Sequence, residues 1–129
     1  MNLLLDTHLL LWAAVEPNRL PRRARELLED AQHRLMFSVA SIWEIAIKRG
    51  LERPDFLLQP GPFRRDLLEN GYVEIPITGE HTVATMTLPP LHKDPFDRIL
   101  VAQAATEGYT LLTSDPKVAA YPGPIQYLR

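Results

Sequence analysis

Four acidic residues of this sequence stand next to apolar segments, where a carboxylate can do more than face solvent. They are Asp6, Glu44, Asp97 and Asp115. Carboxylates a few ångströms apart repel one another and raise one another's pKa unless a cation lies between them. Oxygen ligands of this kind select Mg²⁺ or Mn²⁺, which also bind phosphate oxygens and retain bound water. If the four side chains converge, the chemistry that they favour is hydrolysis of a phosphodiester bond.

Two of the four acids are predicted to face inward. At about 100° per residue, Asp97 shares a helix face with the apolar Leu100. A carboxylate on an apolar face is costly unless it is paired or bound to a metal. Glu44 forms a narrow polar stripe with Ser41 and Lys48 on a helix that is otherwise predicted to be buried. These positions favour a metal site over a solvated acid.

A structural explanation remains open for each acid. Asp94 and Asp115 are each followed by proline, which is typical of an N-cap before the first helical position. Asp6 could cap the following helix in the same way. Ser41 and Glu44 have the spacing of a capping box at the start of a helix. A cap explains why an acid lies near a helix start, but it does not explain an inward orientation.

Strands and helices alternate along the chain, and they must bring these acids together. Strands are predicted at residues 2–5, 35–37, 72–75, 110–113 and 125–127. Helices are predicted at residues 38–49, 63–69, 80–87 and 94–108, with two more between the first two strands. This alternation is typical of an α/β domain with a mainly parallel sheet. Functional residues gather at the carboxyl edge of such a sheet. We therefore expect Asp6 and Asp115 at that edge, since they follow the first and fourth strands.

Composition restricts the class of protein. The chain has 129 residues, of which 46% are hydrophobic and 23% charged, as expected for one globular domain spanning residues 1–129. It contains no cysteine, which excludes a disulfide scaffold, a zinc–thiolate site and a cysteine nucleophile. The first residues lack the basic region of a signal peptide, and no apolar run is long enough to cross a membrane. We therefore expect a cytoplasmic protein without membrane association.

The net charge of −2 provides no overall positive field for nucleic acid, but the basic residues are unevenly spread. They form three clusters: Arg19, Arg22, Arg23 and Arg25; Lys48, Arg49 and Arg53; and Arg64 and Arg65. Each cluster has two interpretations, a solvated helix face or a rim that contacts phosphates around an acidic centre. The charge pattern alone does not decide between these two interpretations.

Other kinds of site receive less support. The sequence has no G-x-S-x-G motif and no glycine-rich phosphate loop. The four histidines lack the spacing of metal ligands and are predicted to be surface or core residues. Two of them, His8 and His92, could lie near the acidic edge. Trp12 and Trp43 are predicted to belong to the core.

Four segments of the sequence resemble motifs of the PIN-domain family, and most closely those of VapC-type toxins of bacterial toxin–antitoxin modules. They are residues 4–12 (LLDTHLLLW), 41–48 (SIWEIAIK), 92–98 (HKDPFDR) with 102–104 (AQA), and 111–115 (LLTSD). The segments occur in the order of the family and span nearly the whole chain.

The resemblance implies a PIN-like three-layer α/β/α fold, with a central, mainly parallel sheet of about five strands. It implies an endoribonuclease that depends on Mg²⁺ or Mn²⁺ and acts on an RNA substrate. It also implies a toxin that a cognate antitoxin protein neutralises, commonly as a homodimer. The acids of the family fall on the four residues named above, and Asp6 and Asp97 would be the main metal ligands.

Four further residues are assigned supporting roles. Asp94 is kept outside the core set, because an acid at this position marks only a subgroup of the family and its N-cap interpretation is good. Thr7 and Thr113 are expected to support the site by hydrogen bonding. Lys48 is expected to orient Glu44 or to contact phosphate.

Two alternatives differ in function. The first is a catalytically silent PIN-like module that binds RNA or a protein without cleavage, and retention of all four acids argues against it. The second is a phosphoacceptor receiver domain, which needs a lone aspartate at the end of its third strand. Here the third strand and the residue after it read Tyr72-Val73-Glu74-Ile75-Pro76, which argues against a receiver domain.

Overall fold

A computed structural model of the chain describes residues 1–51 and 58–129. Its strands are β1 (Asn2–Leu5), β2 (Arg34–Ser38), β3 (Val73–Ile75), β4 (Thr110–Thr113) and β5 (Ile125–Tyr127). Its α-helices are α1 (Thr7–Val15), α2 (Arg22–Glu29), α3 (Val39–Gly50), α4 (Pro60–Glu69), α5 (Gly79–Ala84), α6 (Pro95–Glu107) and α7 (Pro116–Ala119). Short 3₁₀ turns occupy Pro17–Arg19 and Thr85–Thr87. Within the described ranges, no helix combines the length and the apolar character needed to cross a membrane.

The five strands form one sheet in the order β3-β2-β1-β4-β5, and every neighbouring pair is parallel. After β1 the chain moves outward to β2 and β3, and it then returns to the other side of β1 for β4 and β5. The strand order therefore reverses between β1 and β4, where Leu5 lies opposite Leu112. A crevice opens at the carboxyl ends of the strands at such a switch point.

Helices cover both faces of the sheet. On one face, Leu3 and Leu5 of β1 join an apolar cluster that includes side chains of α1, α2 and α4. On the other face, Leu4 joins a cluster with side chains of α6 and α7. Successive side chains of a strand point to opposite faces, so the three leucines of β1 contribute to both clusters. The predicted three-layer α/β/α architecture with five parallel strands is confirmed.

The element ends differ from the predictions in small ways. Helix α4 begins at Pro60 rather than at residue 63, since proline is favoured in the first turn of a helix. The predicted helix over 80–87 is α5 followed by a 3₁₀ turn. The strands predicted at 110–113 and 125–127 have the same bounds in the structure.

Helix α3 is less buried than the sequence predicted, and Trp43 is not a core residue. Ile45 is fully buried, whereas Trp43 is 60% exposed and Ile47 is also exposed. The indole of Trp43 contacts the ring of Phe96 edge-on, at 5.3 Å between ring centroids. Apolar residues of α3 therefore lie on its exposed face as well as on its buried face. Trp12 is partly buried against the core, as predicted.

Gly108 ends α6 and directs the chain into β4 with a positive φ of 77°. We expect Gly108→Ala to lower the free energy of unfolding by about 1 kcal/mol, because a Cβ disfavours this conformation. Gly79, the first residue of α5, has no positive φ, and a Cβ there would have no atom within 4 Å outside its chain neighbours and the backbone of its own helix. We expect Gly79→Ala to be neutral or to stabilise by up to about 1 kcal/mol. Urea unfolding measures the free energy of unfolding of both variants. Equal changes would contradict a requirement for glycine at position 108.

Candidate metal and catalytic site

Asp6 lies at the carboxyl end of β1 and is fixed there by hydrogen bonds of its backbone and of both carboxylate oxygens. Its backbone N–H donates to the carbonyl of Leu112 on β4, at 3.0 Å. Its Oδ1 accepts from the Leu9 N–H at 2.9 Å, which makes it the N-cap of α1, and its Oδ2 accepts from the Thr113 hydroxyl. The residue is only 3% exposed. Burial raises the pKa of the Asp6 carboxyl, and the two side-chain hydrogen bonds oppose that increase.

Asp115 lies beside Asp6 across the switch point, and Thr113 connects them. The Thr113 hydroxyl, which donates to Asp6, also accepts from the Asp115 N–H at 3.0 Å. The Asp115 Oδ1 accepts from the Lys117 N–H at 2.9 Å and caps α7. The negative charge of Asp115 contributes to raising the pKa of Asp6. Asp115 is therefore both a cap and a neighbour of Asp6.

Glu44 is a buried carboxylate with one unsatisfied oxygen. It lies in α3 and is 5% exposed. Its Oε2 pairs with the Lys48 ammonium one turn later, at 2.8 Å. Its Oε1 is buried and has no hydrogen-bond partner among the described residues. A buried carboxylate oxygen without a donor is costly, so this atom indicates a position where a cation would be favourable.

The spacing of Ser41 and Glu44 suggested a capping box, but the two residues do not form one in the structure. Ser38 is the N-cap of α3, and its hydroxyl accepts from the Ala40 N–H at 3.0 Å. The helix begins directly where β2 ends, three residues earlier than the capping-box interpretation requires. The Ser41 hydroxyl instead lies 2.9 Å from the Thr7 hydroxyl and connects α3 to the start of α1.

Asp97 lies in the first turn of α6 and faces the other acids. Burial raises the pKa of the Asp97 carboxyl to about 6, and repulsion by Asp94, Glu44 and Asp6 adds to the effect. Asp97 thus lies within electrostatic range of these acids. A hydrogen bond to His92 opposes the increase, with 2.8 Å between Nε2 and Oδ2.

Asp94 has the capping role that its sequence predicted, and it also borders the cluster. Its Oδ1 accepts from the N–H groups of Phe96 and Asp97, at 2.8 and 3.2 Å, and caps α6. Single ligand atoms of Asp94, His92 and Asp97 also lie within 4.8 Å of one another. Capping therefore does not remove Asp94 from the site.

Two histidines, His92 and His8, were not predicted as site residues because the sequence spacing of the histidines is not that of metal ligands. His92 contacts Asp97 directly, although no metal-binding motif contains it. His8 is exposed, and its charge lowers the pKa of Asp6, the acid two residues before it. Only their positions in the sequence could have identified these histidines as site residues. Each lies within a few residues of an acid at a strand end or a helix start.

Several residues of the basic clusters pair with nearby glutamates at the surface. The pairs are Arg19 with Glu16, Arg22 and Arg23 with Glu26, and Arg64 with Glu74. For these arginines the solvated-face interpretation is sufficient. Arg53 lies outside the described residues.

Among the described residues, the group of possible metal ligands whose atoms lie within 4.8 Å of one another consists of His92, Asp94 and Asp97. Glu44 and Asp6 are near enough for their charges to raise the pKa of Asp97. This donor set, rich in carboxylate oxygens, fits a hard divalent cation. The unpartnered Oε1 of Glu44 and the raised pKa of Asp97 both indicate negative charge that the described protein groups do not neutralise. Such oxygen ligands favour Mg²⁺ or Mn²⁺.

The raised pKa of Asp97 predicts how the stability of the metal-free chain depends on pH. The folded chain holds this proton up to about pH 6, whereas the ordinary value is 3.8, so stability is lost as the pH rises through this window. We expect Asp97→Asn to raise the free energy of unfolding at pH 7 by about 1–3 kcal/mol, with little effect at pH 4. Urea unfolding in EDTA measures this difference. The exposed Asp66→Asn on α4 serves as control, and an equal effect in both variants would contradict the assignment.

Comparison with known proteins finds relatives that match nearly the whole chain. Ribonuclease VapC22 of Mycobacterium tuberculosis is 28% identical over 124 residues, which are 95% of this chain and 94% of that protein. The structure of VapBC2 from Rickettsia felis, bound to a DNA fragment from its promoter, has a TM-score of 0.74 at 17% identity and covers both chains completely. A toxin–antitoxin complex from Klebsiella pneumoniae has a TM-score of 0.60 at 19% identity, over 95% of this chain and 94% of that one.

The solved structures share the fold of this chain at low sequence identity. The family comparison covers most of the chain, because residues 3–124 match the sequence profile of the PIN domain. This range includes all four acids, nearly all of β1, and the whole of β2, β3 and β4, and it ends just before β5. The chain belongs to the PIN domain family.

Proposed function

We propose that this chain is an endoribonuclease that depends on Mg²⁺ or Mn²⁺ and acts as the toxin of a toxin–antitoxin module. The observation that carries the proposal is the buried Oε1 of Glu44, which has no hydrogen-bond partner among the described residues and belongs to an acid within electrostatic range of Asp97. The name of the Mycobacterium relative, a ribonuclease, supports RNA as the substrate. We infer that residues 1–129 act as one domain, in the cytoplasm.

The proposed site uses Asp6 and Asp97 as main metal ligands, with Glu44 and Asp115 completing the set. The chemistry that a cation held by these residues would supply is activation of water and neutralisation of charge on the phosphate. Thr113 holds one oxygen of Asp6 and the Leu9 N–H holds the other, so the carboxylate keeps its orientation.

The remaining groups of the proposed site set its shape and charge. Lys48 binds Oε2 of Glu44 and leaves Oε1 for the cation. Thr7 bonds to Ser41 and keeps the start of α1 against α3. The N-termini of α1 and α6 add positive potential at the same edge, which favours a bound phosphate.

A protein partner belongs to the same proposal. The Klebsiella relative was solved as a toxin–antitoxin complex, and we infer a cognate antitoxin for this chain. An antitoxin that binds near the acidic edge would suppress cleavage by restricting access of RNA. The RNA sequence that is cut depends on surface contacts beyond the metal site.

Asp6→Asn and Asp97→Asn should each reduce RNA cleavage by at least about 100-fold, since even outer-shell partners of a metal contribute about 10–100-fold. Gel assays with a labelled single-stranded RNA, in Mg²⁺, Mn²⁺ or EDTA, measure the rate. The exposed Asp66→Asn should cleave at the wild-type rate, and circular dichroism checks folding. Cleavage that persists in EDTA would contradict metal dependence. Absence of cleavage by the wild-type chain in every divalent ion would favour the silent binding module instead.

We also propose a homodimer, formed through an exposed apolar surface that we call the Trp43 face. The side chains assigned to it are exposed and apolar: Trp43, Ile47, Val83 and Met86. Trp43 lines a cavity of about 370 Å³, and so do Thr82 and Thr85, which are the sequence neighbours of Val83 and Met86. Exposed apolar surface of this kind marks an interaction site. A second copy of the chain would cover it.

Met86→Glu should shift the chain from dimer to monomer, because Met86 is 89% exposed and a charge there opposes apolar contact without disturbing the core. Analytical ultracentrifugation over a range of concentrations measures the dissociation constant, which we expect to rise at least about tenfold. Val15→Glu, at the exposed end of α1, serves as a matched control and should leave it unchanged. A monomeric wild-type chain, or equal effects of both substitutions, would contradict this dimer surface.

A further inference from the structure

The hydroxyl of Tyr121 holds the backbone of His92 at two points. It accepts from the His92 N–H and donates to the His92 carbonyl, each at 3.0 Å. Tyr121 is 3% exposed and follows α7, so its position is set by the core. A residue near the end of the chain thereby fixes the loop that precedes α6.

Arg98 completes this arrangement from the other side of the loop. Its Nη1 donates to the Tyr121 hydroxyl at 3.0 Å and to the Pro89 carbonyl at 3.1 Å. Its Nη2 donates to the Thr85 carbonyl at 2.9 Å. One guanidinium therefore joins the Tyr121 hydroxyl to two backbone carbonyls of the segment before His92. A planar group with several donors in fixed directions restrains such a segment well.

His92, held in this way, contacts a single side-chain oxygen of the acidic cluster. Its Nε2 lies 2.8 Å from Oδ2 of Asp97. When Asp97 is ionised its carboxylate only accepts hydrogen bonds, so in that state the imidazole N–H is the donor. The two side chains are 19% and 18% exposed, so the bond is largely protected from water. Of the acid's two oxygens, this contact engages Oδ2 and leaves Oδ1 for another ligand.

We propose that His92 is a positioning residue for Asp97, and that Tyr121 and Arg98 position His92. The inference rests on the proposed metal site and deepens it. The imidazole fixes the rotation of the Asp97 carboxylate, so that one oxygen is held by the protein and the other is directed to the cation. Hydrogen bonds of this kind to a ligating carboxylate raise metal affinity by about 10–100-fold.

Mn²⁺ binding, measured by titration calorimetry, tests the proposal without relying on activity. His92→Leu and Tyr121→Phe should each weaken Mn²⁺ binding by about 10–100-fold. His92→Gln should recover part of this loss, because its amide N–H can occupy a position similar to that of Nε2. Tyr109→Phe removes a hydroxyl from another partly buried tyrosine and should bind Mn²⁺ as the wild type does. Thermal unfolding of each metal-free variant separates loss of affinity from loss of folding.

Three results would overturn the inference. The first is wild-type affinity in folded His92→Leu or folded Tyr121→Phe. The second is a nitrogen coupling to bound Mn²⁺ in pulsed electron paramagnetic resonance that disappears in His92→Leu, because His92 would then be a metal ligand itself. The third is absence of Mn²⁺ binding by the wild-type chain, which would overturn the proposed metal site as well. In the first two cases the proposed function would stand.

Discussion

The burial of several carboxylates close together is the constraint to which the rest of this structure responds. Burial raises the pKa of Asp97 to about 6, and the charges of Asp94, Glu44 and Asp6 add to the effect. Individual donors offset part of this cost: a threonine hydroxyl for Asp6, an ammonium for Glu44 and an imidazole for Asp97. Each donor engages one oxygen of its acid. The charge that remains is what gives the crevice its affinity for a cation in our proposal.

The aspartates that cap helices are also residues of the acidic cluster, so capping and a role in the site are not competing explanations. Asp6, Asp94 and Asp115 are all N-caps, and each lies where a helix starts at the carboxyl edge of the sheet. Parallel strands followed closely by helices place helix starts together at this edge. An aspartate that caps with one oxygen retains a second one. The fold thus collects carboxylates by using each of them locally.

The sequence predicts the strands well, because their apolar runs are buried on both faces and end at clear turn signals. It also predicts the inward orientation of Glu44 and Asp97, since a polar residue on an apolar face is visible from spacing. It does not predict that Trp43 is exposed, because the amphipathic pattern of α3 is obscured by apolar residues on both of its faces. Nor does it predict the contact of His92 with Asp97. That contact depends on Tyr121 and Arg98, which act through a loop whose path no periodicity records.

The hydrogen bond between Thr113 and Asp6 joins residues 107 positions apart, and it depends on β1 pairing with β4. During synthesis β1 is made long before β4, so Asp6 has neither the Thr113 hydroxyl nor Asp115 beside it until the ribosome has passed those residues. The Leu9 N–H, three residues away, is available to its carboxylate much earlier. On the proposed function, the metal site is complete, and a neutralising partner is needed, only after β4 has paired with β1.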